Sequence, residues 1–369
     1  MHWFLLAILI PYIYILLKIY RSLMGIKPFP SGDNPATFIS VIIPCRNEEN
    51  NLPLLLGDIA AQDYSPELFE VIVVDDNSSD RTCDTASGFR GIKNLKVYKN
   101  NGNGKKAAIR TGTAMASGIL IVTVDADTGM KPGWLKTIAS FYEKNKPEMI
   151  ICPVILDAGG GGFFNRFQEL EFLSLQGITA GSAEAGDPLM CNGANLAFTK
   201  IAFEKHASCL HEELVSGDDV FLLHSMKSEA GSTILWLESE DATVTTAASG
   251  SPGKFLKQRV RWISKAGSYS DLSTKVTAVA TLASVILQPA TLIAAFTDSS
   301  YFLLYGAVFL IKSVPDYLIL RNTAVRYDKK SLLKWFIPSQ FVYPFYIIAV
   351  ISAFFYQTIT NQQPATSNQ

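Results

Sequence analysis

The sequence is 369 residues long, enough for roughly two folded units, with 48% apolar residues against 18% charged. That balance, with a positive mean hydropathy, places part of the chain in lipid. A net charge of −1 excludes the broad basic field of a nucleic-acid binder. The five cysteines, Cys45, Cys83, Cys152, Cys191 and Cys209, are scattered without a C-x-x-C pair, which excludes a zinc site or disulfide framework; they read as buried thiols in a reducing compartment.

The apolar run Trp3 to Leu17 is followed by Lys18, Arg21 and Lys27, with only His2 before it. A secretory leader carries its charge in front and small residues at a cleavage site. Charge behind the run marks residues 1–22 as a membrane anchor and places the downstream domain in the cytosol. The run is somewhat short of the ~20 residues a span needs, but Ile19 and Tyr20 extend it and Lys18 can snorkel.

From 36 to 250 short β-rich runs alternate with amphipathic stretches. Strands are expected at Ile39 to Cys45, Phe69 to Asp76, Leu95 to Asn100, Gly118 to Asp127 and Met149 to Leu156. Helices are expected at Glu48 to Gln62, Asp80 to Ser87, Lys105 to Ser117 and Gly133 to Lys144. Such alternation predicts an α/β fold, a mostly parallel sheet with helices on both faces. Gly159 to Gly162 reads as a linker loop.

Within this region, Gly118-Ile-Leu-Ile-Val-Thr-Val-Asp-Ala-Asp127 ends an apolar strand in two carboxylates one residue apart. In extended backbone both point the same way, into the cleft beyond the strand's carboxyl end where open α/β sheets bind ligands. A Mg2+ or Mn2+ held by one or two carboxylates keeps coordination sites for phosphate oxygens. Asp75 and Asp76 close the second strand, and Asp76 is the one expected to accept hydrogen bonds from a base or ribose; Ser78 to Asp80 fit an Asx turn and helix cap. Asn101-Gly-Asn-Gly-Lys-Lys106 lacks the Walker spacing, yet Gly104 and Lys105 at a helix start suit an anion. Ser216-Gly-Asp-Asp-Val220 sets Asp218 and Asp219 at the start of an apolar helix; capping explains one, and a shielded carboxylate has its pKa raised towards a general base's range.

Residues 251–272 carry Gln258-Arg-Val-Arg-Trp262 and read as an interfacial amphipathic helix, where an Arg and a Trp can also clamp a diphosphate and stack on a sugar. Three further spans fall within 276–356, at Val276 to Thr297, Tyr301 to Leu320 and Trp335 to Tyr356. Arg321, Arg326, Lys329, Lys330 and Lys334 between the last two are expected in the cytosol, and the uncharged tail 357–369 outside. Lys312 and Asp316 sit one helical turn apart inside a span. They read either as a functional intramembrane pair meeting a head group or crevice or as a pair snorkelling to the interface.

Taken in order, Ser40-Val-Ile-Ile-Pro-Cys-Arg-Asn-Glu-Glu49, Val74-Asp-Asp-Asn-Ser78, Gly104-Lys105, Asp125-Ala-Asp127, Asn192-Gly-Ala-Asn-Leu-Ala-Phe198, Gly217-Asp-Asp219 and Gln258-Arg-Val-Arg-Trp262 resemble family-2 glycosyltransferases. The likeness is to their membrane-bound branch, with the cellulose, hyaluronan and poly-N-acetylglucosamine synthases and the ceramide glucosyltransferases. The resemblance implies a GT-A fold, a nucleotide-sugar donor, usually UDP-linked, a divalent metal cofactor and inversion at the anomeric carbon. It implies nucleotide binding by Pro44, Arg46, Glu48, Asp76, Lys105 and Asp125, metal binding by Asp127 with Asp125, a general base at Asp219 beside Asp218, and a diphosphate and acceptor clamp of Gln258, Arg261 and Trp262. The usual T-E-D triplet is here Gly-Asp-Asp.

The expected protein is thus a multi-pass enzyme of a bacterial inner membrane whose partners are the donor, a lipid or glycan acceptor and the bilayer. Three late spans make a thin wall for a polymer conduit, which favours a lipid acceptor over a processive polysaccharide synthase. A sugar nucleotidyltransferase would carry a Gly-rich loop after the first strand, and an inactive scaffold would have lost one of the acids; neither holds here.

Overall fold

The computed structural model describes residues 2–32, 34–210 and 217–361. A 3₁₀ turn, Trp3–Ile8, leads into helix α1, Leu9–Gly25. Then come β1 (Ile39–Cys45), α2 (Leu52–Ala60), β2 (Phe69–Asp75), α3 (Thr82–Gly88), β3 (Leu95–Lys99), α4 (Gly104–Met115) and β4 (Leu120–Val124). Short strands β5 (Thr128–Met130), β6 (Met149–Ile151) and β7 (Val154–Asp157) flank α5 (Trp134–Asn145), and the long helix α6 spans Phe163–Glu184. The domain finishes with β8 (Asn195–Thr199), α7 (Lys200–His206), α8 (Asp218–Lys227), β9 (Ile234–Trp236), β10 (Val244–Ala247) and α9 (Pro252–Ile263). Helices α10 (Leu272–Ala295), α11 (Ser300–Arg326) and α12 (Phe336–Asn361) close the chain.

Seven strands form one sheet in the order β3-β2-β1-β4-β8-β6-β9, parallel from β3 to β4 and antiparallel where β8 pairs with β4 and β6. Strand order reverses at β1, so the crevice between the carboxyl ends of β1 and β4 is the switch point where such sheets bind ligands. The Val and Ile runs of β1, β2 and β4 are buried on both faces, as parallel strands between two helical layers require. A second, three-stranded sheet, β5-β10-β7, lies beside the first. Asn195 at the head of β8 ties the two together: its fully buried side chain donates to the carbonyls of Pro153 and Ala242, both at 2.8 Å, and accepts from the Trp134 indole at 3.0 Å.

Two expected strands change, and one helix is added. The expected strand Met149 to Leu156 is two strands in different sheets, broken at Cys152 and Pro153 because proline has no N–H for the ladder. The expected strand Gly118 to Asp127 ends at Val124, leaving Asp125 and Asp127 in the turn before β5. The stretch after the Gly159 to Gly162 loop is the 22-residue helix α6. The cysteines are unpaired, as expected, but Cys209 is exposed and Cys83 only half-buried.

The segments Trp3–Gly25, Leu272–Ala295, Ser300–Arg326 and Lys330–Thr360 are each long and apolar enough to cross a membrane. α1 and α11 run side by side in the same direction: His2 stacks on Tyr301 at one end, and Arg326 donates to the Leu23 and Ile26 carbonyls at the other. α6 packs into both. A Cβ on Gly177 would lie 2.3 Å from the Thr323 hydroxyl, and one on Gly181 would lie 2.6 Å from the Ile19 carbonyl oxygen. Small residues four apart let helix backbones touch in this way. Because Ile19's backbone cannot move aside, Gly181→Ala is expected to cost about 1–3 kcal/mol, the usual range for overpacking. Thermal unfolding in detergent checks this against Gly57→Ala, whose Cβ meets nothing within 4 Å.

Lys312 does not snorkel. Only 1% exposed, its ammonium meets Asp316 at 2.7 Å and Gln340 at 3.4 Å, while Asp316 also accepts from Tyr12 and from Gln340 at 3.1 Å. The network joins α1, α11 and α12 within the bundle.

Candidate active site

The loops after β1 and β2 are laced to each other, which fixes the nucleotide-side half of the crevice. Asn47 and Asn77 occupy left-handed backbone, φ +58° and +57°, which asparagine tolerates better than most residues. Asn47 accepts the Ser79 N–H at 2.8 Å, Ser78 accepts the Asn47 N–H at 2.9 Å, and Asp80 accepts from the Glu49 and Thr82 amides at 3.2 and 3.0 Å. Ser78 and Asp80 are therefore structural, as expected.

Asp76 accepts from Asn100 at 2.7 Å and from the Gly104 N–H at 2.8 Å, and the Arg46 guanidinium stands 4.0 Å away. These bonds bring the start of α4 against the end of β2. Gly104 makes that turn at φ +84°, and the next residue, Lys105, reaches Asp125 at 2.5 Å.

Next to this crevice lies a cavity of about 410 Å3. Lys105, Asp125, Asp127, Asp218, Asp219, Gln258, Arg261 and Trp262 all line it. Eight of the twelve expected site residues therefore meet in one space, from α4, the β4–β5 turn, α8 and α9. Pro44, Arg46, Glu48 and Asp76 stand outside its lining, at the carboxyl ends of β1 and β2. Ser216 lies outside the described residues.

Asp127 stands open to solvent, yet desolvation by its surroundings, with Asp125 and Glu48 close by, pushes its carboxyl above the ordinary range. Among the described residues no cluster of three His, Cys, Asp or Glu side chains could hold a metal. Two adjacent acids facing a cavity suit a cation that takes its remaining oxygens from substrate phosphates and water, so the residues present fit such an ion.

The raised pKa expected for a shielded acid of this pair does not fall on Asp219. Burial acts to lift it, but Lys265 at 3.6 Å, Lys105 and the N–H groups of Val220 at 2.8 Å and Gly193 at 3.1 Å outweigh burial and hold it below the usual range. It is Asp218 that burial lifts, aided by Asp219 and Asp125 against Lys105. Burial also works against the charge of Lys105, yet Asp125, Asp218 and Asp219 push its pKa up.

Sequence reasoning passed over Gly193, Lys265, Glu171 and Arg259. A Cβ on Gly193 would sit 3.3 Å from Asp218 and 3.4 Å from both Asp219 and Lys105, so glycine keeps the acids close to the lysine. Arg259 is nearly buried, paired with Glu171 of α6 at 2.5 and 3.0 Å, and stacked over Trp262 at 4.0 Å and Phe255 at 4.4 Å. Glu171 also accepts from Tyr346 of α12 at 3.1 Å. The signal in the sequence was a pair of acids, Glu169 and Glu171, set among apolar residues of one stretch, which marks buried partners. Glu171→Gln keeps the shape and removes the charge; with Arg259 left unpaired it is expected to cost about 3–5 kcal/mol of stability. Arg259→Met with Glu171→Gln recovers most of that if the pair acts by charge, as paired thermal melts would show.

Residues 40–206 match the model of glycosyl transferase family 2. The poly(ribitol-phosphate) beta-N-acetylglucosaminyltransferase TarS of Staphylococcus aureus is 32% identical over 114 residues, 30% of this chain and 20% of that protein. An undecaprenyl-phosphate 4-deoxy-4-formamido-L-arabinose transferase of Aeromonas hydrophila is 40% identical over 98 residues, 26% of this chain and 30% of that protein. The chain thus spans less than a third of the length of these curated relatives. The mannosyltransferase PcManGT of Pyrobaculum calidifontis, solved with GDP-Man and Mn2+, superposes with a TM-score of 0.55 at 19% identity, covering 88% of this chain and 98% of that one, and shares the fold. The match, these relatives and this architecture agree: residues 40–206, just under half of the chain, resemble glycosyl transferase family 2, and the chain has the GT-A fold.

Proposed function

We propose that the chain is an inverting, divalent-cation-dependent glycosyltransferase that moves a sugar from a UDP-linked donor to a membrane lipid in glycolipid or cell-envelope synthesis. The observation that carries this reading is the convergence of Lys105, Asp125, Asp127, Asp218, Asp219, Gln258, Arg261 and Trp262 on one cavity beside the switch point of the sheet. The names of the relatives, which transfer sugars to lipid phosphates or to a polyol polymer, support it.

In this reading Pro44, Arg46, Glu48 and Asp76 take the uridine, and Lys105 lies along the diphosphate. Asp127, with Asp125 beside it, would hold Mg2+ or Mn2+, whose chemistry is to neutralise the departing nucleoside diphosphate. Gln258, Arg261 and Trp262 hold diphosphate and acceptor from the membrane side. Asp219, kept ionised by Lys265 and oriented by the Gly193 and Val220 amides, takes the proton from the acceptor hydroxyl as its oxygen attacks the anomeric carbon. Attack from the face opposite the leaving diphosphate inverts that centre. Asp218, more readily protonated than its neighbour, limits the negative charge of the pair.

The helix arrangement supports four spans with the domain in the cytosol of a bacterial inner membrane. Arg326 lies against the carboxyl end of α1 and 3.8 Å from Glu238 of the domain, so the basic stretches after α1 and after α11 share the domain's side, as the positive-inside rule asks.

The test is a panel of UDP-sugars offered with Mn2+ and membrane lipid extract. One sugar releasing UDP and giving a single glycolipid on thin-layer chromatography is the expected result; a polymer ladder points to a polysaccharide synthase, and no UDP release with any donor overturns the reading.

A further inference from the structure

Helix α6 lines three cavities in succession. Gln176 and Thr179 face the catalytic cavity, Ser174 and Ile178 a cavity of about 110 Å3 enclosed by α1, α10, α11 and α12, and Ser182 and Ala185 a third of about 270 Å3 between α1 and α10. Leu175 is common to the first two, and Thr277 to the second and third. The third opens on the exposed apolar surface, where Tyr14 and Leu272 are 71% and 72% exposed, next to the bridge from Asp271 to Lys227 of the domain. The three cavities therefore lie wall to wall from the apolar surface to the catalytic one, with Thr277 and Leu175 between them.

The middle cavity is mostly apolar in its lining, but one side of it is polar. Asp316, Gln340 and Tyr343 border it, and so does Ser339, nine-tenths buried, whose hydroxyl has no hydrogen-bond partner among the described residues. A buried hydroxyl left unpaired is a feature that calls for an explanation, and a ligand atom supplies one. The volume equals roughly four waters at about 30 Å3 each, room for the few atoms of a lipid nearest its head, with the chains passing out between α1 and α10.

We propose that this cavity binds the head-proximal segment of an acyl lipid, one with an ester, amide or hydroxyl group within its first few atoms, and that its head is directed past Leu175 into the catalytic cavity. A polyprenyl phosphate offers no polar atom at that depth and would leave Ser339 unpaired. The inference rests on the lipid-acceptor reading above and narrows it to one class.

Photoactivatable diacylglycerol with a diazirine near its ester, carried in phosphatidylethanolamine–phosphatidylglycerol vesicles holding the full-length protein, tests it. Labelling is expected on the segments around Thr277 to Thr281 and Ser339 to Tyr343, competed by unlabelled diacylglycerol and not by polyprenyl phosphate. Ser339→Phe, or the milder Thr281→Leu, is expected to cut labelling by about tenfold or more by filling the space, with UDP affinity unchanged as the check on folding. Labelling spread over the outer faces of the helices, competition by polyprenyl phosphate, or undiminished labelling in both folded variants overturns the proposal. A wild-type protein that transfers no sugar to any lipid defeats the functional reading itself, whereas transfer with diffuse labelling defeats this inference alone.

Discussion

Asp219→Asn is expected to lower the rate of sugar transfer by about 10²–10⁴-fold, the usual contribution of a general base, while leaving UDP affinity within a small factor. The carboxylate takes the Val220 N–H on Oδ1 and the Gly193 N–H on Oδ2; the amide keeps one of these bonds, and unchanged UDP affinity checks that the loop stays in place. What disappears is the carboxylate that removes the acceptor's proton. Asp218→Asn is expected to cost far less, about tenfold, the scale of one unit of pKa change in its neighbour. Single-turnover rates of both variants with saturating donor separate the roles, and the opposite ranking would move the base to Asp218, whose pKa burial raises.

Asp127→Asn should be the second large loss, about 10²–10³-fold in turnover, as when one stabiliser of a developing charge is taken from an active site. Its signature differs from that of Asp219→Asn. Asp127 is pushed towards its neutral form by desolvation and by Asp125 and Glu48, so a cation that relieves this crowding should bind with the nucleotide and make UDP binding depend on added Mn2+. Titrations of UDP with and without Mn2+ should differ strongly in the wild type and coincide in Asp127→Asn. Asp125 is held by Lys105, so Lys105→Ala should weaken UDP binding in both conditions.

The first half of the domain was legible because its strands are unbroken Val and Ile runs buried on both faces, and because each runs into a loop whose polar residues have one local use. Asp76, Asp125 and Asp127 could be located from strand ends alone. α6 was not legible: it buries Gln168, Glu169 and Gln176 beside its apolar residues and carries Gly177 and Gly181 where other helices touch it, so its pattern lacks a single apolar stripe. The break at Pro153 hid β7 for a simpler reason, since one apolar run served two sheets. The charge state of Asp219 could not be read locally, because Lys265 of another segment and an amide at Gly193 set it. The pairing of Arg259 with Glu171 crosses 88 residues of chain, and nothing in Gln258 to Trp262 distinguishes the arginine turned to Glu171 from its neighbour.

The most direct test of the account is the place where a nucleotide sugar sits. Photolysis of the full-length protein with 5-azido-UDP-glucose and Mn2+, followed by peptide mapping, should mark the segments at the carboxyl ends of β1 and β2, around Pro44 to Glu48 and Asp76, and excess UDP should abolish the labelling. Adducts confined to other surfaces, or labelling that UDP does not compete, would contradict it.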